Sequence, residues 1–115
     1  MNFKEWNEAT NEWFKEKGIY EKGNLLAQFE KLQEEVGELG ESLTAKTKGI
    51  QHFTDSRGRI QNTEDATIDS LGDCMVVIKG ICEMAKVDML DCMNHAYNCI
   101  KDRKGKMING QFVKN

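Results

Sequence analysis

NLLAQFEKLQEEVGELGESLTAKT, residues 24–47, decides the fold. Asn24 is a good helix cap, because its side-chain oxygen can accept from a free N–H of the first turn. After it, Leu25, Phe29, Leu32, Val36, Leu39 and Leu43 step by four and three. That spacing predicts a helix with one apolar seam of the kind bundles bury. Gly37 and Gly40 interrupt it; each weakens a helix by roughly 1 kcal/mol relative to alanine, so a packing or functional reason is expected for them.

The flanking segments extend the helical pattern. In residues 2–17, Phe3, Trp6, Thr10, Trp13, Phe14 and Lys17 share a three-four spacing, and Gly18 is a natural stop. Residues 48–62 are polar and aperiodic, which predicts a long loop. Thr63 is expected to cap a third helix running to about Lys86. Its stretch Cys74–Ala85 is apolar on most sides, the mark of a central helix. Asp88 caps a fourth helix with Val87, Leu90, Asn94, Tyr97 and Ile100 on one stripe and Gly105 at its end. Asn109-Gly110 between short apolar runs predicts a small hairpin. The expectation is one all-α domain over 1–115, a four-helix bundle with a hairpin-like tail. The absence of proline among 115 residues agrees with uninterrupted helices.

Composition narrows the function. Charged residues are 30% and hydrophobic ones 39%, an ordinary globular balance. No stretch approaches a membrane span and the N-terminus has no apolar signal core, so the expected compartment is the cytoplasm. The net charge of −3 hides an asymmetry: residues 101–115 carry +4 and the other hundred −7. An acidic body with a basic end does not suit a nucleic-acid polymer, which calls for one long basic face. It suits a ligand that brings both phosphate and a metal ion. Cys74, Cys82, Cys92 and Cys99 form no CxxC pair and read as reduced cysteines of the core. There is no GxxxxGK[ST] loop and no GxSxG elbow, and neither His52 nor His95 follows a glutamate at the spacing of a di-iron bundle. Trp6, Trp13, Phe14 and Tyr20 suit core or dimer contacts, with stacking on a nucleobase as a lesser alternative.

The residue 24–47 helix carries Glu30, Glu34, Glu35, Glu38 and Glu41. On a helical wheel Glu35 lies on the flank of the seam and Glu38 one step further out. Glu34 and Glu41 point nearly opposite, a solvated position. Glu35 and Glu38 are i, i+3 neighbours, and like charges so placed repel unless something positive lies between them. The third helix supplies Asp69 and Asp73, also on one face. Asp65 and Asp69 lie early enough for the helix dipole to explain them, whereas Asp73 lies beyond that effect, at the edge of the apolar stretch. Gly72 beside it would let another helix come near. Two acidic pairs on facing helices make an oxygen-only cage suited to Mg²⁺ or Mn²⁺, and such ions complete their shells with phosphate oxygens. The basic end, Lys101, Arg103, Lys104 and Lys106, can then clamp phosphate, although cations at a helix C-terminus also suit the dipole alone.

Glu34-Glu35-Val36-Gly37-Glu38-Leu39, followed by Asp69-Ser70-Leu71-Gly72-Asp73, resembles the EExxE and ExxD signature of the MazG-like all-α nucleoside triphosphate pyrophosphohydrolases. The basic tail, Ile100–Lys106 with Gly110–Lys114, resembles that of the small, often phage-encoded members. The resemblance covers roughly residues 24–114. It implies Mg²⁺-dependent hydrolysis of an NTP or dNTP to the monophosphate and pyrophosphate, by helical homodimers or homotetramers; for a phage protein the compartment is the host cytoplasm. It implies Glu35, Glu38 and Asp73 as metal ligands. Ser70 stands where the family has the ExxD glutamate, and Asp69 is the residue that can replace it. Glu34 or Glu38 would act as base, and Lys101, Arg103, Lys104 and Lys106 would neutralise pyrophosphate. Two other classes fit the same residues: a non-catalytic helical module binding a nucleotide or a protein, and a Mg²⁺ hydrolase of another phosphate anhydride, such as an alarmone or a nucleotide sugar.

Overall fold

The computed structural model describes all 115 residues and is mainly helical, with two small β-hairpins. Helix α1 (Phe3–Glu16) starts at Asn2, whose side chain accepts from the Glu5 N–H at 2.9 Å. Gly18, at φ +74°, turns the chain into a single-turn helix α2 (Ile19–Lys22). Helix α3 (Leu25–Thr47) begins where Asn24 accepts from Ala27 N–H at 2.8 Å. Helix α4 (Thr63–Met84) is capped by Asn62, not by Thr63, whose hydroxyl instead donates to the Ile50 carbonyl at 2.6 Å. Asp88 caps α5 (Met89–Ile100), accepting from Asp91 N–H at 3.0 Å. All four caps satisfy an N–H group the helix itself leaves free.

The segment expected to be a long loop is ordered. Strands β1 (His52–Thr54) and β2 (Ile60–Asn62) pair antiparallel, Phe53 opposite Gln61. The helix stripe ends at Ile100, so Gly105 does not terminate α5; it opens β3 (Gly105–Ile108). That strand pairs with β4 (Gln111–Lys114) through a turn at Asn109 (φ 50°) and Gly110 (φ 80°). Two successive positive φ values are what a two-residue hairpin turn requires, and asparagine-glycine tolerates them best.

The main packing is α3 against α4, and it keeps only part of the expected seam: Leu32 and Leu39 are half-buried. Phe29 and Val36 are 51% and 52% exposed, and Leu25 and Leu43 are exposed as well. The buried residues of α3 are Glu35, Ser42 and Ala45, and they face Thr63, Thr67, Ser70, Cys74 and Val77 of α4, which share a four-three spacing. These are mostly small side chains, so the helices meet along a thin polar seam and leave large apolar ones outside. Gly37, Gly40 and Gly72 have open space where a Cβ would sit, so no close helix approach explains them.

Gly80 is different. A Cβ there would lie 2.6 Å from the ring of Phe14, which is 2% exposed and packs α1 on α4. Phe14 stacks on Tyr20 at 5.3 Å and meets Trp13 edge-on at 5.3 Å. Burial, with Glu83 adding its charge, pushes the Tyr20 hydroxyl up to about 12, so it stays a donor, and it bonds Asn11 at 2.7 Å.

Helix α5 buries no residue, and every residue of β3 and β4 is exposed. The radius of gyration is 16.8 Å, against about 13 Å for a chain of this length folded on itself. The helices therefore do not close into a bundle with α5 as fourth member. Cys74 and Cys82 are buried as expected, but Cys92 and Cys99 are exposed; all four are free thiols. No helix is long and apolar enough to cross a membrane.

Candidate functional site

The thin seam brings carboxylates from α3 and α4 together. Glu35 is 7% exposed, although glutamate is among the residues least often buried. One turn earlier, Lys31 reaches its Oε1 at 3.3 Å. Its Oε2 is buried and has no hydrogen-bond partner. Such an orphaned acceptor costs about 1–3 kcal/mol unless something outside the chain satisfies it. Burial, then the charges of Glu38 and Asp73, pushes the Glu35 carboxyl up, against the pull of Lys31. Asp73 is also pushed up, by burial first and by Asp69 and Glu38 after it. Burial also raises the Cys74 thiol, with Glu35 and Asp73 adding to it. Glu35, Glu38, Asp69 and Asp73 thus form one repelling group between two helices.

Two spaces flank this group. A cavity of about 390 Å³ has Glu35, Asp73 and Lys31 on one side and Trp13, Phe14, Ile19 and Val77 on the other. A smaller one of about 170 Å³ lies towards the β1–β2 hairpin, between Glu38 and Glu41 of α3 and Asp69 and Ser70 of α4. The acidic group is the wall between an aromatic pocket and a polar one.

The hairpin supplies cations that the sequence reading did not single out. Arg57, at its tip, pairs with Glu34 and lies 3.7 Å from Glu38. Arg57 and Lys31 together hold Glu34 below the usual carboxylate range, Arg57 contributing most. Burial works against the Lys31 charge, but Glu35 and Glu34 outweigh it and raise its pKa. The tip is organised by Asp55. It accepts from Arg57 N–H and Arg59 N–H, both at 2.9 Å, from Arg59 Nε at 2.8 Å and from Gln61 Nε2 at 3.0 Å. The Gln61 bond, then the Arg59 N–H, keep its carboxyl well below the usual range. Ser56 N–H donates to Glu41 at 3.2 Å, fixing the tip to α3. Glu34 and Glu41, read as solvated, therefore both anchor the hairpin. The signal was available in Asp55-Ser56-Arg57-Gly58-Arg59, a turn-forming run with two arginines.

The other expected site residues lie apart. Lys101 caps α5, Arg103 and Lys104 follow it, and Lys106 is in β3; none of them pairs with a carboxylate. His95 approaches only Cys99, at 3.7 Å. No three acidic, histidine or cysteine side chains converge on one point as a ready-made metal cage. The donor set nevertheless suits a hard cation: all of it is carboxylate, and one buried oxygen is unpartnered. Lys31 and Arg57 occupy the positions where positive charge is needed. No family model, curated protein or solved structure matches this chain.

Proposed function

We propose that this chain is a Mg²⁺-dependent nucleoside triphosphate pyrophosphohydrolase of the MazG-like all-α type, its helices completing a bundle with a second copy. The observation that carries the proposal is Glu35. It is a buried carboxylate with an unsatisfied oxygen, beside Asp73, at the wall of an aromatic-lined cavity. The Lys31 pair engages one of its oxygens, and the other is free to take a hard cation. The cavity volume of about 390 Å³ falls in the range of small-molecule pockets, and Trp13 offers a face for a nucleobase.

Glu35, Glu38, Asp69 and Asp73 would hold Mg²⁺, or Mn²⁺ in its place. When bound there, the ion supplies charge neutralisation to the phosphate oxygens and makes a water more acidic. Glu34 is the poorer base, because Arg57 and Lys31 stabilise it as an anion. Glu38 borders the polar space and takes the proton of the attacking water. The bond between the first and second phosphoryl groups breaks, and pyrophosphate leaves with the bonding electron pair. Lys101, Arg103, Lys104 and Lys106 pair with no carboxylate of their own chain, and they would reach this cleft from a neighbouring copy. The exposed Phe29, Val36, Ile68, Leu71 and Met75 favour such an assembly, since apolar patches of this kind mark association surfaces.

The test is pyrophosphate release from a panel of NTPs and dNTPs, with and without Mg²⁺, extended to an alarmone and a nucleotide sugar. Mg²⁺-dependent pyrophosphate from at least one triphosphate is expected, with turnover lost in Glu38→Gln. Full turnover by that variant overturns the assignment of Glu38. Turnover confined to another anhydride overturns the substrate class, and no turnover leaves a binding module.

A further inference from the structure

Arg57 is fixed at its backbone and half-exposed at its head. The Asp55 bonds organise the hairpin tip from within, and the Ser56 N–H bond to Glu41 ties it to α3. The Arg57 side chain is 54% exposed and rests on Glu34 and Glu38 alone. A guanidinium matches phosphate oxygens as well as it matches carboxylates, two N–H groups at a time. A divalent cation reaching Glu38 takes over the neutralisation that Arg57 now provides there. The arginine is then released beside Glu34, where its exposed head can turn to the incoming phosphates.

We propose that Arg57 is an exchanging counter-ion: it neutralises Glu34 and Glu38 in the empty cleft and transfers to the substrate phosphates when a metal triphosphate binds. This rests on the reading of the cleft as a metal–triphosphate site. It gives the β1–β2 hairpin a role in that site and makes Arg57 a phosphate ligand on the same chain as the carboxylates.

The experiment compares the wild-type protein with Arg57→Gln and Arg57→Lys in two binding titrations without turnover. One uses Mn²⁺ alone, followed by the loss of its free-ion paramagnetic resonance signal. The other uses inorganic tripolyphosphate with Mg²⁺, followed by calorimetry. Arg57→Gln removes a competitor for the carboxylates, so bare Mn²⁺ binds about threefold more tightly. It also removes a bidentate phosphate ligand, so tripolyphosphate binds about tenfold more weakly. Arg57→Lys keeps the charge but not the fork; it stays near the wild type for Mn²⁺ and recovers only part of the tripolyphosphate affinity. Shifts of the same sign for the two probes, or no change with either one, overturn the proposal. So does Arg57→Lys matching the wild type in both, which reduces Arg57 to a distant charge. If the wild type takes up no Mn²⁺, the metal reading itself fails and this inference with it. Wild-type Mn²⁺ uptake that Glu35→Gln abolishes but Arg57→Gln leaves unchanged removes this inference alone.

Discussion

Exchanging Glu35 for glutamine separates a structural carboxylate from one kept for a cation. The wild-type side chain is buried, with Oε2 unpartnered and Glu38 and Asp73 adding their repulsion. An unsatisfied buried acceptor costs about 1–3 kcal/mol. Its one compensation is Lys31 at 3.3 Å, an i, i+4 pair with a half-exposed lysine, worth about 0.3–0.5 kcal/mol. Glu35→Gln relieves the repulsion and offers an N–H₂ donor to neighbouring carboxylates, so the metal-free chain should gain about 1 kcal/mol. For a domain of this size that is a rise in Tm of roughly 5 °C. Added Mn²⁺ reverses the order. At ten times its Kd the ion stabilises the wild type by about 1.4 kcal/mol, and the variant, lacking a ligand, gains little. The assay is thermal unfolding in chelator and in Mn²⁺, and the two curves should cross. A variant that is less stable than the wild type in chelator would refute the reasoning, because Glu35 would then be holding the fold together.

Three further outcomes follow from the same structure. Gly80→Ala should lower the urea midpoint: forcing the Phe14 ring from a site closed by Tyr20 and Trp13 costs about 1–3 kcal/mol, of which helix propensity returns about 1 kcal/mol; a raised midpoint contradicts that packing. Asp55→Ala removes four acceptor bonds at the hairpin tip, so hydrogen exchange of the Arg57 and Arg59 amides should speed up while α4 keeps its protection; unchanged exchange at the tip denies Asp55 that role. The third concerns pH. Glu35 and Asp73 have folded-state values above their unfolded ones, so the folded chain takes up protons first as pH falls. Acidification from neutrality towards the unfolded carboxylate range, about 4, should therefore stabilise the metal-free protein at these two groups, while Mn²⁺ affinity declines over the same window because protons compete for its ligands. Metal affinity that stays constant from neutrality down to about pH 4 would exclude them as ligands.

What could be read from the chain was what short-range chemistry decides. Asn24 and Asp88 cap their helices through bonds to residues three positions on, and Asn109-Gly110 turns the tail with no help from elsewhere. Glu35 and Asp73 stood out because a charge at the edge of an apolar stretch needs an explanation, and the fold brings both to one cavity. The inward face of α3 was legible only at Leu32 and Leu39, because hydrophobicity weighs leucine and phenylalanine above Ser42 and Ala45, and it is the small residues that let α4 approach. The β1–β2 hairpin was missed because its strands have three residues each and its turn is built by the Asp55 side chain, with no asparagine-glycine signal. Arg57 was missed because its partner, Glu34, is 23 positions away, and pairing at that distance exists only once the hairpin folds back on α3.

Phosphorus NMR follows the proposed reaction directly. Purified protein, Mg²⁺ and one accepted triphosphate should give nucleoside monophosphate and pyrophosphate in equal amounts, with none formed in chelator and none by Glu38→Gln. Orthophosphate and nucleoside diphosphate as the products, or triphosphates that all persist unchanged in Mg²⁺, would contradict the account.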